Sequence, residues 1–147
     1  MNTTTVIKQR LLHFGIKPSL QRIAVMQYLM EHRTHPSVDM IYGALSSTIP
    51  TLSRTTVYNT LKLLSEQGAI LALNIDEKNV RYDGIIAAHA HFRCKKCGRI
   101  YDLPEHFAQI IKQKKLAIFS GLHITESQTY YKGYCEDCKD NKRTKLQ

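Results

Sequence analysis

Apolar residues recur at helical spacing through the first half of the chain and then give way to short alternating runs. Val6, Ile7, Leu11 and Leu12 fall on one helical face that Gly15 closes. After Pro18, the residues Leu20, Ile23, Ala24, Gln27, Tyr28 and Met30 repeat at nearly the same period. Ser37 can cap a third helix carrying Val38, Ile41, Tyr42 and Leu45, which must end before Pro50. Ser53 can cap a fourth, with Val57, Leu61 and Leu64 as its apolar stripe and Gly68 where a left-handed terminating residue is wanted. The opposite face of that fourth helix shows Arg54, Thr55, Tyr58, Asn59 and Lys62. Two short strands, 69–75 and 80–85, follow around the turn-like Asp76-Glu77-Lys78-Asn79. Helices followed by one hairpin predict a winged helix, with helices three and four as the helix-turn-helix and the hairpin as a wing beside it. A small helical bundle with a merely solvated polar face fits the same pattern until charge is considered.

Beyond Gly84 the pattern predicts a second, smaller α/β unit. Residues 89–94 alternate as a strand, Lys95-Lys96-Cys97-Gly98 forms a tight turn, and 99–103 runs back. A helix is expected over 105–119, where Phe107, Ile110, Ile111 and Leu116 are spaced helically. A strand is expected over 123–131, after the break at Gly121 and before Gly133-Tyr134-Cys135. Tyr130, Tyr131 and Tyr134 are expected to pack that sheet. The tail from Lys139 to Lys145 is basic and non-periodic, and is expected to fray. The fold class is therefore α+β: an N-terminal winged helix-turn-helix domain over 1–83 and a small C-terminal α/β domain over 84–147.

Charge weighs on the two readings of the first half. The 147 residues carry 21 Lys and Arg against 12 Asp and Glu, a formal net charge of +9. That balance favours a polyanionic partner, nucleic acid first. Arg54, Thr55, Tyr58 and Asn59, with Lys17 and Arg22, are the expected DNA-binding residues. With 43% hydrophobic and 22% charged residues the chain should fold as a globular protein. No secretory signal pattern opens it and no apolar run of membrane-spanning length occurs, so a cytoplasmic location without membrane association is expected.

In that compartment four cysteines point to metal or catalysis more than to disulfides. Cys94-x-x-Cys97 and Cys135-x-x-Cys138 are two thiolate pairs, each able to chelate from a tight turn. Together they complete the closed tetrahedral sulfur shell of a structural zinc site, with redox dithiols or iron–sulfur ligation as the alternatives. His89-x-His91 puts two imidazoles on one face of a strand, and a turn centred between Lys96 and Cys97 brings Asp102 opposite His91. The remaining His13, His32 and His106 read as solvated helix residues.

Several strings in order resemble the ferric-uptake-regulator (Fur) family over nearly the whole chain. They are Pro18-Ser19-Leu20-Gln21-Arg22, the run from His35 to Tyr42, and Ser53-x-x-Thr56-Val57-Tyr58-x-x-Leu61. Arg81-Tyr82-Asp83, His89-x-His91-x-x-Cys94-x-x-Cys97-Gly98 and Gly133-Tyr134-Cys135-x-x-Cys138 follow. The resemblance implies a homodimeric, metal-dependent transcriptional repressor that binds a palindromic double-stranded DNA operator through its winged helix and dimerises through its C-terminal domain. It implies a structural Zn²⁺ and a regulatory Fe²⁺ or Mn²⁺, the latter held by His35, Asp83, His89, His91 and Asp102. Three histidines and two aspartates resemble the peroxide-sensing (PerR-like) branch, whereas iron-uptake members tend to carry glutamate at the carboxylate positions. Ala88-His89-Ala90-His91 replaces the His-His-Asp-His run of those members, and Ser127 stands where they usually have a histidine, so their additional metal site is expected to be missing. The branch resemblance further implies hydrogen peroxide as the signal and His35 or His89 as the oxidised ligand. The alternative within the family is an iron, manganese or zinc homeostasis regulator that senses metal level only. A metallohydrolase built on His89, His91 and Asp102 is disfavoured, because the sequence offers no well-placed general base and no nucleophile motif, so no enzyme is expected.

Overall fold

A computed structural model describes residues 2–107, 121–122 and 126–142. Four helices come first: α1 (Thr3–His13), α2 (Leu20–Glu31), α3 (Val38–Leu45) and α4 (Arg54–Glu66). Each starts where a short polar side chain can take up an orphan backbone donor. Asn2 accepts from Thr5 N, Ser19 from Arg22 N, Ser37 from Met40 N and Ser53 from Thr56 N. Gly15 and Gly68 both have positive φ, the conformation that lets the chain leave α1 and α4 without a Cβ clash. A hairpin of β1 (Leu71–Leu73) and β2 (Arg81–Asp83) follows, antiparallel, with Leu71 opposite Asp83. The mixed α+β winged-helix layout expected from the pattern is therefore present, with strands shorter than the 69–75 and 80–85 predicted.

The chain divides into two compact units, Met1–Ile86 and Ala87–Gln147. The first has its own core, in which Ile7, Leu11, Val25, Met26, Leu29, Ile41, Val57, Leu61 and Leu64 are fully buried or nearly so. Val6, Leu12, Leu20 and Met30, expected on apolar faces, are instead exposed. Arg10 of α1 spans the hairpin: one Nη2 donates to the carbonyls of both Ala69 and Gly84, at 3.1 and 2.8 Å.

The second unit is built on a three-stranded sheet in the order β4-β3-β5, from β3 (Ala90–Cys94), β4 (Ile100–Leu103) and β5 (Thr129–Gly133). The turn between β3 and β4 sets an antiparallel register in which His91 faces Asp102, as its predicted centre requires. β5 pairs with β3 in parallel, with Cys94 beside Gly133. The helix expected over 105–119 begins as a 3-10 turn, Glu105–Phe107, and its remainder lies outside the described residues. So do 123–125 of the expected strand and 143–147 of the tail, whose start forms a second 3-10 turn, Lys139–Lys142. Among the described residues, no helix is long and apolar enough to cross a membrane.

Candidate metal centres and nucleic-acid face

The four cysteines lie together in the second unit. Their sulfur atoms all fall within 4.8 Å of one another, with Cys97 Sγ 3.8 Å from Cys135 Sγ. Four thiolates around one zinc at about 2.3 Å stand roughly 3.8 Å apart at the edges of a tetrahedron, so the cluster has the size the ion needs. Local backbone produces it. Cys94 ends β3, Gly98 takes a positive φ to close the turn, and Gly98 N returns to Cys94 O at 3.0 Å. The second pair sits on a turn in which Cys138 N donates to Cys135 O at 3.0 Å. Phe92, Tyr101 and Tyr134 pack around the sulfurs.

Thiols this close divide their protons unequally. Burial raises Cys94, but backbone N–H groups aimed at its sulfur outweigh it and bring the thiol down to about 6. Cys135 is also buried against ionisation, yet bonds from Cys138 and from the Tyr101 hydroxyl leave it lowered. Cys138, whose S–H is held by Cys135 and further raised by burial, is pushed up to about 12. A site in which some sulfurs already ionise easily while one is protonated mainly by crowding is one that a divalent cation would complete.

The N/O donors named from the resemblance fall into two groups, one in each unit. In the first unit, His35 and Asp83 are both buried, with His35 Nε2 3.6 Å from Asp83 Oδ2. Asp83 ends β2, and its Oδ1 accepts from Ile85 N at 2.9 Å and meets Arg33 Nη2 at 3.3 Å. His35 has φ +52, although it is neither glycine nor asparagine and precedes Pro36, a position that ordinarily takes extended backbone. Such a conformation costs on the order of 1–2 kcal/mol and persists only where the surroundings over-determine it. Here Arg81 Nε donates to His35 O at 2.5 Å and Tyr82 N to Pro36 O at 3.0 Å.

In the second unit, His89 Nε2 and His91 Nε2 lie 3.0 and 3.3 Å from the same Asp102 oxygen, Oδ1. The two rings are 4.3 Å apart between centroids. His89 Nδ1 donates to Ala87 O at 2.7 Å, which fixes the tautomer and leaves Nε2 as the donor atom. Donors about 2.1 Å from one ion lie roughly 3.0 Å apart at right angles and roughly 3.4 Å apart at tetrahedral angles. The separations within each group suit donors that share a cation. His13, His32 and His106 are exposed, as expected of solvated residues.

The polar face of α4 is open. Arg54, Thr55, Tyr58 and Asn59 are exposed, while Val57, Thr60, Leu61 and Leu64 behind them are buried. Arg54 Nε donates to Asp39 Oδ1 at 2.9 Å, and its guanidinium lies 4.9 Å from the Tyr42 ring, both on α3. An exposed pair of this kind is worth at most about 1 kcal/mol, so the guanidinium is easily drawn to another anion. Lys17 and Arg22 line a depression of about 410 Å³ at the start of α2, closed on its other side by Thr56, Asn59 and Leu63 of α4. Arg22 Nη1 donates to Lys17 O at 2.8 Å. Of the six residues expected to touch DNA, Lys17, Arg22 and Asn59 share this depression, and Arg54, Thr55 and Tyr58 are exposed on α4. Sequence reasoning missed Arg33, Asp76 and Tyr101. Nothing local marks them, because each acts on a partner distant in sequence or across a turn.

Comparison with known proteins bears on both faces. The model of the Ferric uptake regulator family matches residues 13–131. The chain is 33% identical over 127 residues to the peroxide-responsive repressor PerR of Staphylococcus epidermidis, covering 86% of this chain and 83% of that protein. Its fold resembles the Campylobacter jejuni peroxide stress regulator, with a TM-score of 0.66 at 28% identity, over 94% of this chain and all of that one (100%). It also resembles the Helicobacter pylori ferric uptake regulator, whose structure has three functional metal-binding sites. There the TM-score is 0.68 at 25% identity, over 94% of this chain and 95% of that one.

Proposed function

Because the chain belongs to the ferric uptake regulator family, we propose that it is a metal-dependent, DNA-binding transcriptional repressor of the cytoplasm whose signal is hydrogen peroxide. In this reading a homodimer sits on a palindromic operator. Arg54, Thr55, Tyr58 and Asn59 enter the major groove, and Lys17 and Arg22 meet flanking phosphates. Cys94, Cys97, Cys135 and Cys138 hold a structural Zn²⁺. His35, Asp83, His89, His91 and Asp102 hold a regulatory Fe²⁺ or Mn²⁺. The protein binds and releases DNA and turns over no substrate.

The observation that carries the reading is the separation of donor chemistry. The thiols are gathered around one centre, while the histidines and aspartates keep to themselves at separations of 3.0 to 3.6 Å within each unit. Borderline-to-hard donors without sulfur suit iron and manganese, and a thiol switch is not the obvious route for an oxidant. Iron held by these residues would supply electrons to peroxide beside the imidazoles, which manganese and zinc would not readily do. The choice of His35 and His89 as the oxidised ligands follows from the resemblance to the peroxide-sensing branch. An oxygen atom added to either ring lowers its basicity and removes a donor. Losing one donor would weaken the hold on the metal, and with the metal the DNA-binding state is lost.

Peptide mass mapping after peroxide treatment of iron-loaded and manganese-loaded protein tests this. The expected result is the mass of one oxygen atom on the His35 or His89 peptide with iron only, together with lost operator binding. Unmodified histidines with operator binding unaffected by peroxide would leave a regulator of metal level, and reversible cysteine oxidation would overturn the histidine route.

A further inference from the structure

The left-handed backbone at His35 is held by a network that starts in the wing. Asp76 lies in the turn between β1 and β2. Its Oδ1 accepts from Lys78 N at 3.0 Å and shapes the turn, while its Oδ2 takes Arg81 Nη1 at 3.1 Å. Arg81 then donates its Nε to His35 O. Both side chains of the ion pair are largely buried, 15% exposed for Arg81 and 8% for Asp76. Residues two apart on a strand share a face, so Arg81 and Asp83 both address the His35 loop from β2. One fixes its backbone and the other stands 3.6 Å from its imidazole.

We propose that Arg81 is a positioning residue for His35 and that Asp76 sets Arg81, so the conformation of the wing turn is read directly at the metal-binding half-site. The proposal rests on the reading of His35 and Asp83 as metal ligands. The guanidinium fork suits the role: it is planar and can hold a carboxylate through Nη1 and a carbonyl through Nε at once, which an ammonium on a flexible stem cannot do in the same geometry. Without the Asp76 carboxylate the largely buried guanidinium keeps only the carbonyl and turns toward water, and the loop relaxes toward the extended backbone favoured before proline. The imidazole then leaves its place beside Asp83. By reciprocity, any partner that alters the wing turn alters metal affinity by the same factor as metal alters that partner's binding.

The test is titration of the full-length, zinc-loaded chain with Mn²⁺ alone, reading free Mn²⁺ by electron paramagnetic resonance, with thermal unfolding and zinc content measured in parallel. His35→Ala should abolish the exchangeable site. If it retains wild-type Mn²⁺ binding, the ligand reading itself has failed. Given that control, Asp76→Asn and Arg81→Ala should each weaken Mn²⁺ binding about 10- to 100-fold, the usual effect of removing a group that orients a ligand. The double variant should be no weaker than Arg81→Ala, because both act through one carbonyl. Arg81→Lys, which keeps the charge and the fold, should show the same loss. Wild-type affinity in Asp76→Asn and Arg81→Lys, or additive losses in the double variant, would overturn the relay.

Discussion

Replacing Cys94 by Ser should abolish the second unit while leaving the first intact. The buried cluster around the cysteines consists of Cys94, Cys135 and Cys138 with half-buried Phe92, Tyr101 and Tyr134 against them. Among the described residues this is a small cluster, and a small core leaves a unit dependent on its staple. A four-thiolate zinc site contributes about 10–16 kcal/mol of binding free energy, while the net stability of a whole domain is about 5–15 kcal/mol. Losing most of that contribution is comparable to the whole net stability of a domain. Cys94 is the most consequential of the four, being fully buried at the end of β3, where its sulfur receives Cys97 N at 3.5 Å and its amide donates to Arg99 O. Its loss breaks the knuckle and the β3–β4 pairing together. The first unit has a separate core, from Ile7 to Tyr82, that contains no cysteine. Zinc content by chelator assay and calorimetry of the full chain give the measurement. Wild type should carry one firmly held zinc, and Cys94→Ser should lose it and the unfolding transition of the second unit, with the first unit's transition kept. A Cys94→Ser protein that retains zinc and both transitions would refute the reasoning.

Three further outcomes are expected. Arg54→Ala should leave thermal stability within about 1 kcal/mol, since its bond to Asp39 is exposed. It should weaken operator binding by on the order of tenfold or more in a fluorescence anisotropy titration; unchanged affinity would remove Arg54 from the interface. Gly84→Ala places a Cβ 3.2 Å from the Leu29 carbonyl oxygen, a backbone atom that cannot swing aside. It should lower the stability of the first unit by about 1–3 kcal/mol in a denaturant melt. Ser53→Ala removes the cap on Thr56 N at 3.1 Å and should cost about 1 kcal/mol by the same melt.

What was legible beforehand is what local chemistry decides. Ser37 and Ser53 were readable as caps because the acceptor and the orphan donor are three residues apart. The His91–Asp102 register was readable because a tight turn leaves the returning strand little choice. Cysteine spacing announced a four-sulfur cluster for the same reason: each pair is a single turn. What was hidden depends on distant residues. The exposure of Leu12 and Leu20 depends on which faces of α1 and α2 the neighbouring helices cover, which periodicity does not encode. The parallel pairing of β5 with β3 joins strands far apart in the chain, and no turn signal prescribes it. The left-handed backbone of His35 is not legible in the sequence, because Arg81, which holds its carbonyl, lies 46 positions later.

Arg10 also imposes an order on biosynthesis. Its two carbonyl partners lie 59 and 74 residues further along the chain. At about 5–20 residues per second of translation, α1 waits roughly 4–15 s after its own emergence before Gly84 follows it out of the ribosome. Through that interval the guanidinium is solvated and α1, with Ile7 and Leu11 uncovered, has no completed core to dock on. The earliest-made segment of the first unit is therefore among the last to be secured, and nascent chains halted short of residue 84 should display it to chaperones and proteases.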